Sequence, residues 1–155
     1  MFNDRYLDQV RLLVRCMPEV AKQTCFALKG GTAINLFIRD MPRISVDIDL
    51  AYLPIKQRDE SLAEISTAIQ AIATDIRNQI DGAVVAESRA EGRVVKLLIS
   101  VAGAVIKIEP NLVFRGSVYP AEGRELVPSA QRQFEAYLSV PTMIEADLYG
   151  LRGHV

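Results

Sequence analysis

Histidine is almost missing from this 155-residue chain: the single one, His154, stands next to the last residue. That scarcity excludes Ser-His-Asp and Cys-His nucleophilic chemistry and any histidine-rich metal centre. Whatever chemistry exists falls to carboxylates, a metal ion, and Lys or Arg. Cysteine is also sparse. Cys16 and Cys25 lie nine positions apart, match no CxxC spacing and sit in apolar surroundings. They read as buried, reduced thiols of a cytoplasmic protein. Charge of one sign is lacking as well, since 18 basic and 19 acidic residues leave a net charge of −1. No global basic field announces nucleic acid, although a local basic groove would be hidden in that sum. No apolar run approaches the length of a membrane span, and Asp4 and Asp8 interrupt the first residues. Neither a secretory signal nor a membrane partner is therefore expected.

What is present suits an ordinary globular protein. Half the residues are apolar and 24% are charged, and the length allows one domain, 1–155, with a sizeable core. Apolar spacing predicts a helix over 4–23 with a kink or break at Pro18, a strand over 24–28, and a short helix over 33–38. A long covering helix follows over 56–80, its charges read as a solvated face. Strands over 83–90 and 93–101 are joined by a hairpin turn at Glu91-Gly92, and Gly103 turns the chain into a strand over 104–110. Beyond Asn111 there are turn signals at Arg115-Gly116, Tyr119-Pro120 and Glu122-Gly123, then a strand over 134–140 and a last helix over 143–149. The expected class is α+β with an α/β-like start: a mixed twisted sheet with covering helices.

The chemistry concentrates between Leu28 and Leu53, in LKGGTAINLFIRDMPRISVDIDLAYL. Apolar and acidic residues alternate strictly from Val46 to Leu50. On a strand this sends Asp47 and Asp49 to one face, while Val46, Ile48 and Leu50 face the core. Two adjacent carboxylates repel unless a cation lies between them, so the pair suits Mg²⁺ or Mn²⁺. Upstream, Gly30-Gly31-Thr32 lies between an apolar strand and an apolar helix. Glycine there allows positive φ and close approach of a ligand, and a helix start offers free N–H groups to a phosphate. Lys29 can touch that phosphate or remain solvated. Arg43 can contact a triphosphate or pair with one of the aspartates. In Val105 to Glu109 the alternation puts Lys107 and Glu109 on one face and Ile106 and Ile108 on the other. Glu109 is the natural third metal carboxylate, against the alternative of an edge-strand charge that blocks aggregation. Lys107, farther along the same face, can meet a phosphate.

The stretch GGTAINLFIRDMPRISVDIDL resembles the signature of the AbiEii-type nucleotidyltransferase toxins, within the polymerase-β-like nucleotidyltransferase superfamily. The residues that carry the resemblance are Gly30-Gly31-Thr32, followed by Arg43, Ser45, Asp47 and Asp49. It is dense between Phe26 and Tyr52 and looser as far as Tyr149. The resemblance implies the nucleotidyltransferase fold, with Asp47, Asp49 and Glu109 holding two Mg²⁺ ions and Ser45 in the nucleotide site. It further implies transfer of a nucleotide from an NTP to an RNA acceptor, tRNA being the expected class. The biological setting would be a toxin–antitoxin or phage-defence system with a cognate antitoxin. Family members continue past the Asp-Leu-Tyr-Gly segment, matched here by Asp147 to Gly150, into a helical region with a further lysine. The chain is therefore expected to be an N-terminal core truncated after residue 150, exposing apolar surface that favours a homo-oligomer. The rival readings are a catalytically silent Mg-NTP-binding module and an inactive, associating domain.

Overall fold

The alternating segments around Ile48 and Ile108 become neighbouring strands at the middle of a sheet. The computed structural model describes residues 4–29, 47–115, 122–125 and 139–142. The helices expected over 33–38 and 143–149 lie outside them. The described elements are helix α1 (Asp4–Ala21), strands β1 (Phe26–Lys29) and β2 (Asp47–Tyr52), and helix α2 (Arg58–Gln79). They continue with β3 (Val84–Ala90), β4 (Arg93–Val101), β5 (Ala104–Arg115), β6 (Glu122–Glu125) and β7 (Ser139–Thr142). Among the described residues the sheet has seven strands in the order β3-β4-β5-β2-β1-β7-β6. It is mixed, as its sequence suggests: β2 runs parallel to β5, β1 runs parallel to β7, and the other neighbours are antiparallel.

Both described helices cover one face of this sheet. Helix α1 packs on β5 and β7, α2 packs on β4 and β3, and the two helices touch each other. The strand residues turned to them are fully buried: Ile48 and Leu50 on β2, Leu97 and Ile99 on β4, Ile106 and Ile108 on β5. From α1 come Val10, Leu13, Val14, Met17 and Val20, and from α2 come Leu62, Ile65, Ile69, Ile72 and Ile76. Phe26 and Tyr52, partners across β1 and β2, meet edge to face with ring centroids 6.3 Å apart. Buried polar groups have partners. Ser66 of α2 accepts a hydrogen bond from the Val94 backbone N–H at 3.0 Å, which ties the helix to β4.

The turns follow their residues. At the β3–β4 hairpin Glu91 and Gly92 have φ of 53° and 76°, and at the β4–β5 hairpin Ala102 and Gly103 have φ of 49° and 86°. Left-handed pairs of this kind match the twist of the strands they join. The first turn is braced by Arg58 at the start of α2, whose guanidinium donates to Glu91 at 3.0 and 3.2 Å.

Several boundaries differ from the sequence expectation. Helix α1 continues through Pro18 to Ala21. Pro18 cannot donate the i→i−4 bond to the Val14 carbonyl, and the buried stripe of Val14, Met17 and Val20 holds the helix to the sheet despite that loss. Strand β5 passes Pro110 and reaches Arg115, with a register shift opposite Ala51 and Tyr52. Glu122-Gly123, read as a turn, belongs to β6, which pairs with β7. The strand expected over 134–140 is described only from Ser139, and it includes Pro141 and ends at Thr142. Pairing on both sides, with β6 and β1, outweighs the local turn chemistry there.

Candidate active site

The face of the sheet opposite the two helices carries the acidic residues. Strands β2 and β5 are parallel and in register, so Asp47 lies beside Lys107, Ile48 beside Ile108 and Asp49 beside Glu109. Residues opposite each other point to the same side of a sheet, and their neighbours point to the other. The ladder therefore sorts these pairs into a charged row above the sheet and an apolar row beneath it. Ile48, Leu50 and Ile108 are wholly buried, whereas Asp47 and Glu109 are 41% and 44% exposed. On the other flank of β2, the backbone of Lys29 is paired with Asp49. Lys29, Asp49 and Glu109 thus occupy one row across three strands.

Among the described residues, the Lys107 side chain reaches these acids. The Lys107 ammonium is 3.3 Å from Glu109 Oε2 and 3.9 Å from Asp47 Oδ2. Its hydrogen bond to Glu109, and then the nearby charges of Asp47, Glu109 and Asp49, hold the Lys107 pKa above the ordinary lysine value. Among the described residues, no three His, Cys, Asp or Glu side chains converge closely enough to hold a metal ion. The donor chemistry nevertheless fits one: Asp47, Asp49 and Glu109 offer only hard carboxylate oxygens, on strands fixed by the core, and a cation already sits against two of them. Those three are the residues that could hold a divalent cation.

The other residues singled out in the sequence fare differently. Gly30, Gly31, Thr32, Arg43 and Ser45 lie outside the described residues. Glu109 is no edge-strand charge, because β5 lies between β4 and β2. Lys107, expected to face a phosphate, is engaged with Glu109 and Asp47. Cys16 and Cys25 are free thiols, the first buried and the second half-buried. Burial pushes the Cys16 pKa up to about 12.

The solvated-face reading of α2 misses Glu64. Its carboxylate accepts a hydrogen bond from the Tyr52 hydroxyl and pairs with Lys56 at 3.2 Å. The alternation of β2 contains the signal: Tyr52 has the parity of Ile48 and Leu50, so its phenol passes under α2, where a buried hydroxyl needs an acceptor. These hydrogen bonds lower the Glu64 pKa, while burial and Glu64 itself push Tyr52 up to about 12. A pocket of about 500 Å³ lined by Lys22, Thr24, Cys25, Glu64 and Thr67 lies on this helical side, away from the acidic row.

Comparison with known proteins identifies the family and a shared fold. The family described as "Nucleotidyl transferase AbiEii toxin, Type IV TA system" matches residues 11–151. No curated protein matches the sequence. Among solved structures, the chain is similar to MenT4, a nucleotidyltransferase toxin from Mycobacterium tuberculosis H37Rv. The TM-score is 0.61 at 19% identity, over 92% of this chain and 50% of that one. The likeness at that identity is one of fold, and the chain spans about half the length of the solved toxin.

Proposed function

Because this chain belongs to the AbiEii family of nucleotidyl transferase toxins, we propose that it transfers a nucleotide from an NTP to an RNA acceptor, with tRNA as the acceptor class. The observation that carries this reading is the in-register acidic row of Asp47, Asp49 and Glu109 on the open side of the sheet. In the transfer, the acceptor hydroxyl oxygen bonds to the α-phosphorus and the bond from that phosphorus to the α–β bridging oxygen breaks. Pyrophosphate leaves, and the hydroxyl proton passes to a carboxylate oxygen of the acidic row. A divalent ion bound there supplies charge neutralisation on the triphosphate and a lowered pKa for the attacking hydroxyl. The chain's own part is positioning. Strands β2 and β5 fix the three carboxylates, and the sequence motif and family resemblance support Gly30, Gly31, Thr32 and Ser45 as the triphosphate-binding residues, with Lys29 and Arg43 supplying positive charge. In-line displacement depends mostly on such placement and on charge.

The family match supports reading the protein as a toxin of a toxin–antitoxin or phage-defence system, held in check by a cognate antitoxin. The test is incubation of the chain with Mg²⁺, each of four labelled NTPs and total tRNA. Label retained on RNA after denaturing electrophoresis supports the reading. RNA that stays unlabelled with every NTP, while the protein is folded, overturns it.

A further inference from the structure

Lys107 stands where the chemistry of the acidic row calls for a positive charge. Its ammonium lies 3.3 Å from Glu109 Oε2 and 3.9 Å from Asp47 Oδ2, bridging carboxylates on two different strands. The side chain is one-third exposed, and the Cα positions of Lys107 and Asp47 are locked opposite each other by the parallel ladder. A lysine here cannot leave the face, yet its four-carbon stem is flexible and its head is a compact, hydrated point charge. A divalent cation held by Asp47 and Glu109 would need the same oxygens and would repel the ammonium from them.

We propose that Lys107 is a tethered counter-ion of the acidic row, which holds Asp47 and Glu109 together in the metal-free protein and is displaced when a divalent cation binds. Metal binding is then an exchange of one cation for another, and the affinity for free metal is lower than the carboxylates alone would give. The displaced ammonium remains on the same face, two residues from Glu109, where the triphosphate brought by the metal supplies its new partner. Free metal therefore binds weakly and metal with nucleotide binds well. The inference rests on the acidic row being the metal site of the proposed transferase.

Mn²⁺ binding followed by electron paramagnetic resonance tests it, on the parent chain and on Lys107→Gln and Lys107→Arg. Removing the resident charge should tighten free Mn²⁺ binding about tenfold in Lys107→Gln. Lys107→Arg, which keeps the charge, should stay near the parent. Equal or weaker Mn²⁺ binding by Lys107→Gln overturns the counter-ion while leaving the metal site in place. Absence of Mn²⁺ binding in all three proteins overturns the acidic row as a metal site, and the inference with it. Should Lys107→Gln fail to fold, the parent alone decides. Titration with Mg²⁺ should shift the side-chain NMR resonances of Lys107 in step with saturation, and an unmoved Lys107 signal at saturating Mg²⁺ contradicts displacement.

Discussion

Asp49 on β2 and Glu109 on β5, sixty residues apart in the chain, are direct partners across a parallel ladder. That pairing makes a third carboxylate part of the Asp47–Asp49 row, and it needs no loop to do so. The strands are held by Ile48, Leu50 and Ile108 on their buried side, so the positions of the acids are set by the core beneath them.

The acids themselves add little to folding. Asp47→Asn and Asp49→Asn should each abolish metal-dependent transfer and leave stability within about 1 kcal/mol of the parent, because half-exposed ion pairs contribute that much or less. Thermal melts in metal-free buffer check this. A drop of several degrees in both variants would assign the aspartates to structure.

The apolar row below should behave in the opposite way. Ile108 is buried between Ile48 and Leu97, its partners on the neighbouring strands. Ile108→Ala should cost about 2–5 kcal/mol in urea unfolding, through lost burial and the cavity left behind. A cost below about 1 kcal/mol would mean that the core does not anchor the acidic row.

How much of this was legible in the sequence follows from the range of the forces involved. Strict alternation in Val46 to Leu50 and in Val105 to Glu109 is a local pattern with period two, so it gives the faces of β2 and β5 directly. The Glu91-Gly92 and Gly103 turns are equally local, and the structure has them as read. The pairing of β2 with β5 depends on a crossover through α2, β3 and β4, so the alternation offered Glu109 as a third acid without giving its register against Asp49. Local signals misled where distant pairing won, as in β6 at Glu122-Gly123 and in β5 beyond Pro110. The Lys107 contacts were out of reach because a lysine's partner depends on which strand lies alongside it.

The hairpin turns can be tuned. Ala102 holds φ of 49°, a left-handed conformation that costs an L-residue about 1–2 kcal/mol. Asparagine adopts it more readily, so Ala102→Asn should raise stability by a fraction of that amount. Gly92→Ala, at φ of 76° with open space around the missing Cβ, should lower it by about 1 kcal/mol. Chemical denaturation of both variants checks the signs.

Alkaline pH should weaken the fold. Cys16 rises from 9.0 to about 12 and Tyr52 from 10.0 to about 12, both chiefly through burial. Each group holds its proton more tightly when folded, so the unfolded chain ionises first. The stabilisation is complete below pH 9 and is lost as pH climbs from there towards 12, by up to about 1.4 kcal/mol per pH unit for each group. Urea midpoints between pH 8 and 11 should fall, and Tyr52→Phe should flatten the part above pH 10. A midpoint independent of pH over that range would show that neither group is protected.

The most direct test of the proposed activity is the fate of the two ends of the triphosphate. Parallel reactions with α-³²P- and γ-³²P-labelled NTP, Mg²⁺ and tRNA should place the α label on RNA and the γ label in free pyrophosphate. Asp49→Asn should do neither. A γ label found on RNA, or an α label that persists in Asp49→Asn, would contradict nucleotidyl transfer by this acidic row.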